Sequence, residues 1–126
     1  METKTDPETA VQKQLDAYNA RDIDALMATY TNDIELFEHP SKLLASGAAQ
    51  VRERQAARLQ EPNLHAALIK RMLMGNIVID QEKVSRTFPE GTGQIELIAI
   101  YEVQHDKIAK AWFLFGEKTL DAKPWP

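Results

Sequence analysis

The sequence predicts an α+β domain in which three N-terminal helices pack on a mainly antiparallel sheet. Two observations carry this. Helical periodicity is confined to roughly the first half of the chain, and long alternating segments separated by turn signals fill the second. The 126 residues, 44% of them apolar, suit one domain over residues 1–126 whose core needs neither metal nor disulfide.

Thr5 and Glu8 have the spacing of a capping box around Pro7, and Val11, Leu15 and Tyr18 then recur on one helical face. A first helix from Pro7 to Ala20 follows. Asp22 caps a second, short helix whose Ile23, Leu26, Met27 and Tyr30 share a face, with Thr31, Asn32 and Asp33 as its breaker. Ile34 to His39 reads as a short strand stopped by Pro40, which cannot donate to a sheet ladder. Ser46 and Gly47 open a third helix to Gln60, ended by Glu61, Pro62 and Asn63.

The remainder reads as sheet. Leu64–Met74 and Ile77–Thr87 flank Gly75-Asn76, a dipeptide suited to a tight turn, with Asp80-Gln81-Glu82 as the alternative turn. Gly91 and Gly93 mark the next turn. Ile95, Leu97, Ala99, Tyr101 and Val103 then alternate with Gln94, Glu96, Ile98, Ile100 and Glu102. After His105-Asp106-Lys107, a last strand runs from Ile108 to Leu120. Strands this long with apolar residues on both faces must be covered twice, once by the helices and once by a partner subunit.

Composition excludes several functions. Without cysteine there is no disulfide, thiolate metal site or cysteine nucleophile. The start is polar and no apolar run reaches the roughly eighteen residues of a membrane span, so a cytoplasmic protein without membrane attachment is expected. The net charge is −4, and the basic residues are scattered apart from Arg52, Arg54 and Arg58, which read as a solvated helix face; no nucleic-acid partner is expected. His65 and His105 are isolated, so no metal is expected, and no motif implies a cofactor. Arg71, inside an apolar stretch, either points outward from an alternating strand or is buried against a carboxylate or an anionic ligand.

Four segments carry a family resemblance: residues 18–25 (Tyr-Asn-Ala-Arg-Asp-Ile-Asp-Ala), Phe37-Glu38-His39-Pro40, Gly47 to Glu53, and Leu114 to Lys118. In order and spacing the chain resembles the ketosteroid-isomerase-like and SnoaL-like branch of the nuclear transport factor 2-like superfamily. The resemblance implies a strongly curved sheet wrapped around a long helix, a cone with one apolar pocket, and a homodimer. In the isomerases the residue before the strand-ending proline is an aspartate base; here it is His39. Gln14 stands in place of a tyrosine oxyanion donor, Ala99 in place of a protonated aspartate, and Gln55 in place of a supporting tyrosine, while Tyr30 is kept. A glutamine cannot share a proton with a growing oxyanion as a phenol does. The resemblance therefore argues for the fold and pocket and against steroid isomerisation.

The expected site follows. His39, an imidazole with an ordinary pKa of about 6.5, is the candidate general base. Gln14, Tyr18, Tyr30, Gln55 and Tyr101 supply polar tips, and Phe37, Ala99 and Phe113 line the cavity. Strand parity puts Phe37 and His39 on one face of their strand. Trp112, Ile98 and Ile100 fall on the opposite, outer face, where the second subunit is expected. The expected ligand is a small apolar molecule, a carbonyl compound if the site moves a proton; the alternative is a non-catalytic binding or dimerisation module.

Overall fold

Helix α1, Pro7–Ala20, begins where the Asp6 carboxylate accepts the Glu8 amide N–H at 3.0 Å. A computed structural model describes residues 6–121, so the Thr5 half of the expected capping box lies outside the described residues. Arg21 closes the helix at a φ of 60°. Its guanidinium donates to the carbonyls of Leu59, Glu61, Pro62 and Leu64, which fastens the helical hairpin to the segment over residues 59–64. Helix α2, Ile23–Met27, is capped by Asp22, whose carboxylate accepts the Ala25 N–H at 3.0 Å.

Two boundaries differ from expectation. Tyr30 is not on the face of α2; it opens strand β1, Tyr30–Glu38, because Thr31 to Asp33 form an irregular stretch of strand beside β6 instead of a break. A short edge strand β2, Lys42–Ser46, pairs back on β1 and takes Ser46 out of the third helix. That helix, α3, is Ala48–Leu59, entered through Gly47 at a φ of 84°, a left-handed value that suits glycine.

Strands β3 (His65–Met74), β4 (Ile77–Phe88), β5 (Gly91–Gln104) and β6 (Lys107–Leu120) complete a six-stranded curved sheet of order β2-β1-β6-β5-β4-β3. Only β1 and β6 run parallel. The β3–β4 turn is at Gly75-Asn76, and Asp80-Gln81-Glu82 lies within β4. Gly93 is inside β5, where a Cβ would stand 2.5 Å from the Thr119 carbonyl oxygen; close strand approach, not turn geometry, calls for glycine there.

The inner face carries the core. Val11 and Leu15 of α1 pack with Leu26, Ile34, Leu36, Val51, Val78 and Ile108, all buried. Each full burial of such a side chain contributes about 1.5–3 kcal/mol. Among the described residues no helix is long and apolar enough to cross a membrane.

The expected facing fails in two places. On β1 the inward residues are Tyr30, Ile34 and Leu36, so Phe37 faces outward and stacks on Trp112 at 5.8 Å between ring centroids. On β3 the register slips between Leu68 and Lys70, and this bulge turns Arg71 to the same inner face as Ala66. The outward reading of Arg71 is thereby corrected: its side chain is 7% exposed. It holds Asp80 through Nε at 2.7 Å and Nη2 at 2.9 Å, with Nη1 on Gln12 Oε1 at 2.9 Å.

Candidate functional site

Between the helices and the inner face of the sheet lies a partly open cavity of about 90 Å³. α1 contributes Gln14, Leu15 and Tyr18, successive turns of one face. α3 contributes Gln55 between Arg54 and Arg58, β4 contributes Glu82, Val84 and Arg86, and Tyr101, Phe113 and Phe115 come from β5 and β6. The walls are mainly apolar with a few convergent polar groups, the usual make-up of a small-molecule site. A cavity of about 150 Å³ takes benzene, so only a few non-hydrogen atoms of a ligand fit inside this one.

Of the residues expected at the site, Gln14, Tyr18, Gln55, Tyr101 and Phe113 meet at this cavity. Tyr30 stands behind its wall, buried, with its hydroxyl oxygen accepting from Gln55 Nε2 at 3.2 Å. Ala99 is fully buried on the inner face, between Asp80 and Phe113 on the neighbouring strands, and does not reach the cavity. Phe37 is on the outer face. His39 is exposed beyond the end of β1 and is absent from the cavity wall. Its amide N–H donates to the Phe113 carbonyl at 2.8 Å. The expectation that Phe37, His39 and Ala99 line one cavity is corrected: the inward residues of β1 are the even-numbered ones, and Ala99, though on the inner face of β5, is fully buried away from the cavity wall.

The group that sequence reading missed is Glu82. Its residue is 5% exposed, and its Oε2 is buried without a hydrogen-bond partner. Burial in this apolar wall, reinforced by the nearby Asp80 carboxylate and only partly countered by Arg71, pushes its pKa from an ordinary 4.5 up to about 7. The two acids of β4 thus sit in different environments: Asp80 is matched by a two-point guanidinium, whereas among the described residues Glu82 makes no ion pair. A legible signal existed, since Val78, Asp80, Glu82 and Val84 share one parity, which sends both carboxylates inward once the turn is placed at Gly75-Asn76.

The tyrosines remain hydroxyl donors at neutral pH. Burial, countered in part by Arg58 and reinforced by Glu82, raises Tyr18 to about 12. Burial and then the Glu82 carboxylate push Tyr101 well above its ordinary 10. Tyr30 is raised by burial against hydrogen bonding from Gln55 and Gln14. Gln14 Oε1, like Glu82 Oε2, is buried without a partner, which leaves the site unmatched acceptors for a ligand's donor. Among the described residues no group of three His, Asp or Glu is placed to hold a metal ion.

Residues 11–111 match the model of the SnoaL-like domain family. A cystatin-fold protein from Novosphingobium aromaticivorans superposes with a TM-score of 0.80 at 23% identity, covering 86% of this chain and 97% of that one. An LEH-like epoxide hydrolase from M. tuberculosis gives 0.74 at 16% identity over 87% and 82%. A protein described as a ketosteroid isomerase, from Kribbella flavida, gives 0.72 at 15% identity over 95% and 82%. At such identities the likeness establishes the fold. The sequence has no match among curated proteins.

Proposed function

The chain belongs to the SnoaL-like domain family, and from that footing we propose that its cavity is a small-molecule site in which Glu82 moves a proton. The observation that carries the reading is a nearly buried carboxyl with an unpartnered oxygen at the cavity wall and a pKa of about 7. Such a group exchanges its proton near neutral pH, where a general acid or base works best. Tyr18 and Tyr101, held protonated, are positioned at the same wall to donate to an oxygen on which negative charge grows. The substrate class this suits is a small carbonyl compound undergoing enolisation, isomerisation or cyclisation. Fold relatives described as an epoxide hydrolase and a ketosteroid isomerase lend support to an enzyme of this kind. In this reading Glu82 takes the role that the resemblance implied for His39.

The test is deuterium incorporation at the carbon beside the carbonyl of small ketones and keto acids, followed by NMR in heavy water. Wild type is expected to accelerate exchange with a rate that rises through about pH 7, and Glu82→Gln to lower it by about two to four orders of magnitude. His39→Ala runs beside it; a matching loss there would return the role to His39. The small cavity volume favours a second reading, a non-catalytic ligand-binding module, which predicts binding with no exchange.

The proposal includes a homodimer. One row across the outer face runs Phe37, Trp112, Ile100, Ile79 and Met72, residues in direct register on five neighbouring strands. Ile98 and Met72 on this face are 38% and 53% exposed. A continuous apolar band of this kind is what a second subunit would cover. The cytoplasmic location expected from the sequence is kept as part of the proposal.

A further inference from the structure

Arg54, Arg58 and Arg86 line the cavity and also line an open groove of about 650 Å³ beside it. The three guanidinium groups therefore stand where the cavity opens into the groove. Arg54 and Arg58 are one helical turn apart on α3, an arrangement in which like charges repel. Arg52, by contrast, leaves this face and pairs with Asp24 at 2.6 Å.

Among the described residues no carboxylate neutralises the trio fully, and the Arg86 guanidinium lies over the Phe88 ring, 5.0 Å from its centroid. Among the described residues the one salt bridge any of them makes is Arg86 Nε to Glu61 Oε2, at 3.8 Å, too long for a hydrogen bond. Arg86 Nε is buried and lacks a hydrogen-bond partner. Glu61 is engaged elsewhere, because its Oε1 accepts from the Thr87 amide. Two other carboxylates face the arginines: Glu53, exposed in the groove, and Glu82, inside the cavity. Burial and the neighbouring Arg58 lower the pKa of both Arg54 and Arg86, the sign expected of cations held together without enough anion.

We infer that the ligand is an anion, with a carboxylate or phosphate head held in the groove by Arg54, Arg58 and Arg86 and a narrow uncharged end inserted in the cavity toward Glu82. This rests on the cavity being a ligand site, as proposed above, and adds the chemical class. It also accounts for the volumes: a cavity of about 90 Å³ admits only a small end, while the groove of about 650 Å³ has room for the rest. Guanidinium is the side chain best suited to the task, since its planar fork matches both carboxylate and phosphate.

The experiment is calorimetric titration of the full chain at low salt. The probes are levulinate and acetoacetate, their methyl esters, and dihydroxyacetone phosphate beside neutral dihydroxyacetone. Each anion is expected to bind at least about tenfold tighter than its neutral counterpart, with the advantage shrinking as salt is raised. Whether the keto acids or the keto phosphate gain more decides which head group the arginines prefer. Arg54→Gln and Arg58→Gln, which alter exposed or half-exposed side chains and should fold, are expected to lower anion affinity about tenfold and to lower ester affinity far less, so that the acid-to-ester ratio falls. Equal affinity for acid and ester in wild type would overturn the anionic head and leave the cavity reading standing. Anion binding that survives both arginine substitutions would overturn the inference too, by placing the anion elsewhere. If neither charged nor neutral probes bind, the cavity reading fails and the inference falls with it.

Discussion

Replacing Glu82 by glutamine keeps the shape of the side chain and removes its titration, so its effect on stability can be worked out from the structure. The folded-state pKa is about 7 against an ordinary 4.5. At pH values below 4.5 the carboxyl is protonated in both folded and unfolded chains and costs nothing. Between 4.5 and about 7 the unfolded chain ionises while the folded one does not, and wild type loses about 1.4 kcal/mol of stability per pH unit. Above about pH 7 the loss levels off at about 3 kcal/mol, a large share of the roughly 5–15 kcal/mol that holds a domain together. Glu82→Gln should remove this dependence. The variant is expected to match wild type within about 1 kcal/mol near pH 4 and to exceed it by about 2–3 kcal/mol at pH 8. Urea unfolding across that range, with stabilities extrapolated linearly, measures the difference directly, and titrations common to both proteins cancel in it. A difference that stays flat with pH would refute the reasoning, since it would mean that Glu82 is solvated or has a partner in the folded protein. A stability cost of this size at the cavity wall fits a group kept for what it does to a ligand.

Three further outcomes follow from the geometry. Arg71→Met leaves Asp80 fully buried without its cation and should cost about 3–5 kcal/mol in urea unfolding, most of it recovered in the Arg71→Met, Asp80→Leu double variant. Trp112→Glu should convert a dimer to monomer in sedimentation velocity; a wild type that stays monomeric at high concentration removes the outer-face proposal. Gly93→Ala puts a Cβ 2.5 Å from the Thr119 carbonyl oxygen and 2.9 Å from the Leu120 Cα, and the strand displacement should cost about 1–3 kcal/mol, read as a lowered melting temperature.

Much of this protein was determined by sequence-local chemistry. Asp6-Pro7 and Asp22 set the starts of α1 and α2, Gly75-Asn76 set a hairpin, and the alternation from Ile95 to Val103 set the inner face of β5. These are contests between neighbouring residues for backbone hydrogen bonds and turn geometry, so neighbours suffice to decide them. Gln14, Tyr18, Tyr101 and Phe113 could be named for the same reason, since each lies on the buried face of a correctly placed element, whereas Gln55 was named through the resemblance, which sets it in place of a tyrosine.

Tertiary structure decided what depends on register between distant strands. The slip near Ile69 turned Arg71 inward onto Asp80, and the even-numbered face of β1 sent Phe37 out to Trp112 and left His39 in solvent. A strand has a period of two, so a one-residue slip exchanges the faces of everything beyond it, and no local pattern announces a slip. The pKa of Glu82 belongs to the same class. It arises from apolar walls brought by α1, β5 and β6 and from a guanidinium on β3 already taken by Asp80, and burial and charge become properties of a carboxyl only when residues far apart in the chain are packed around it.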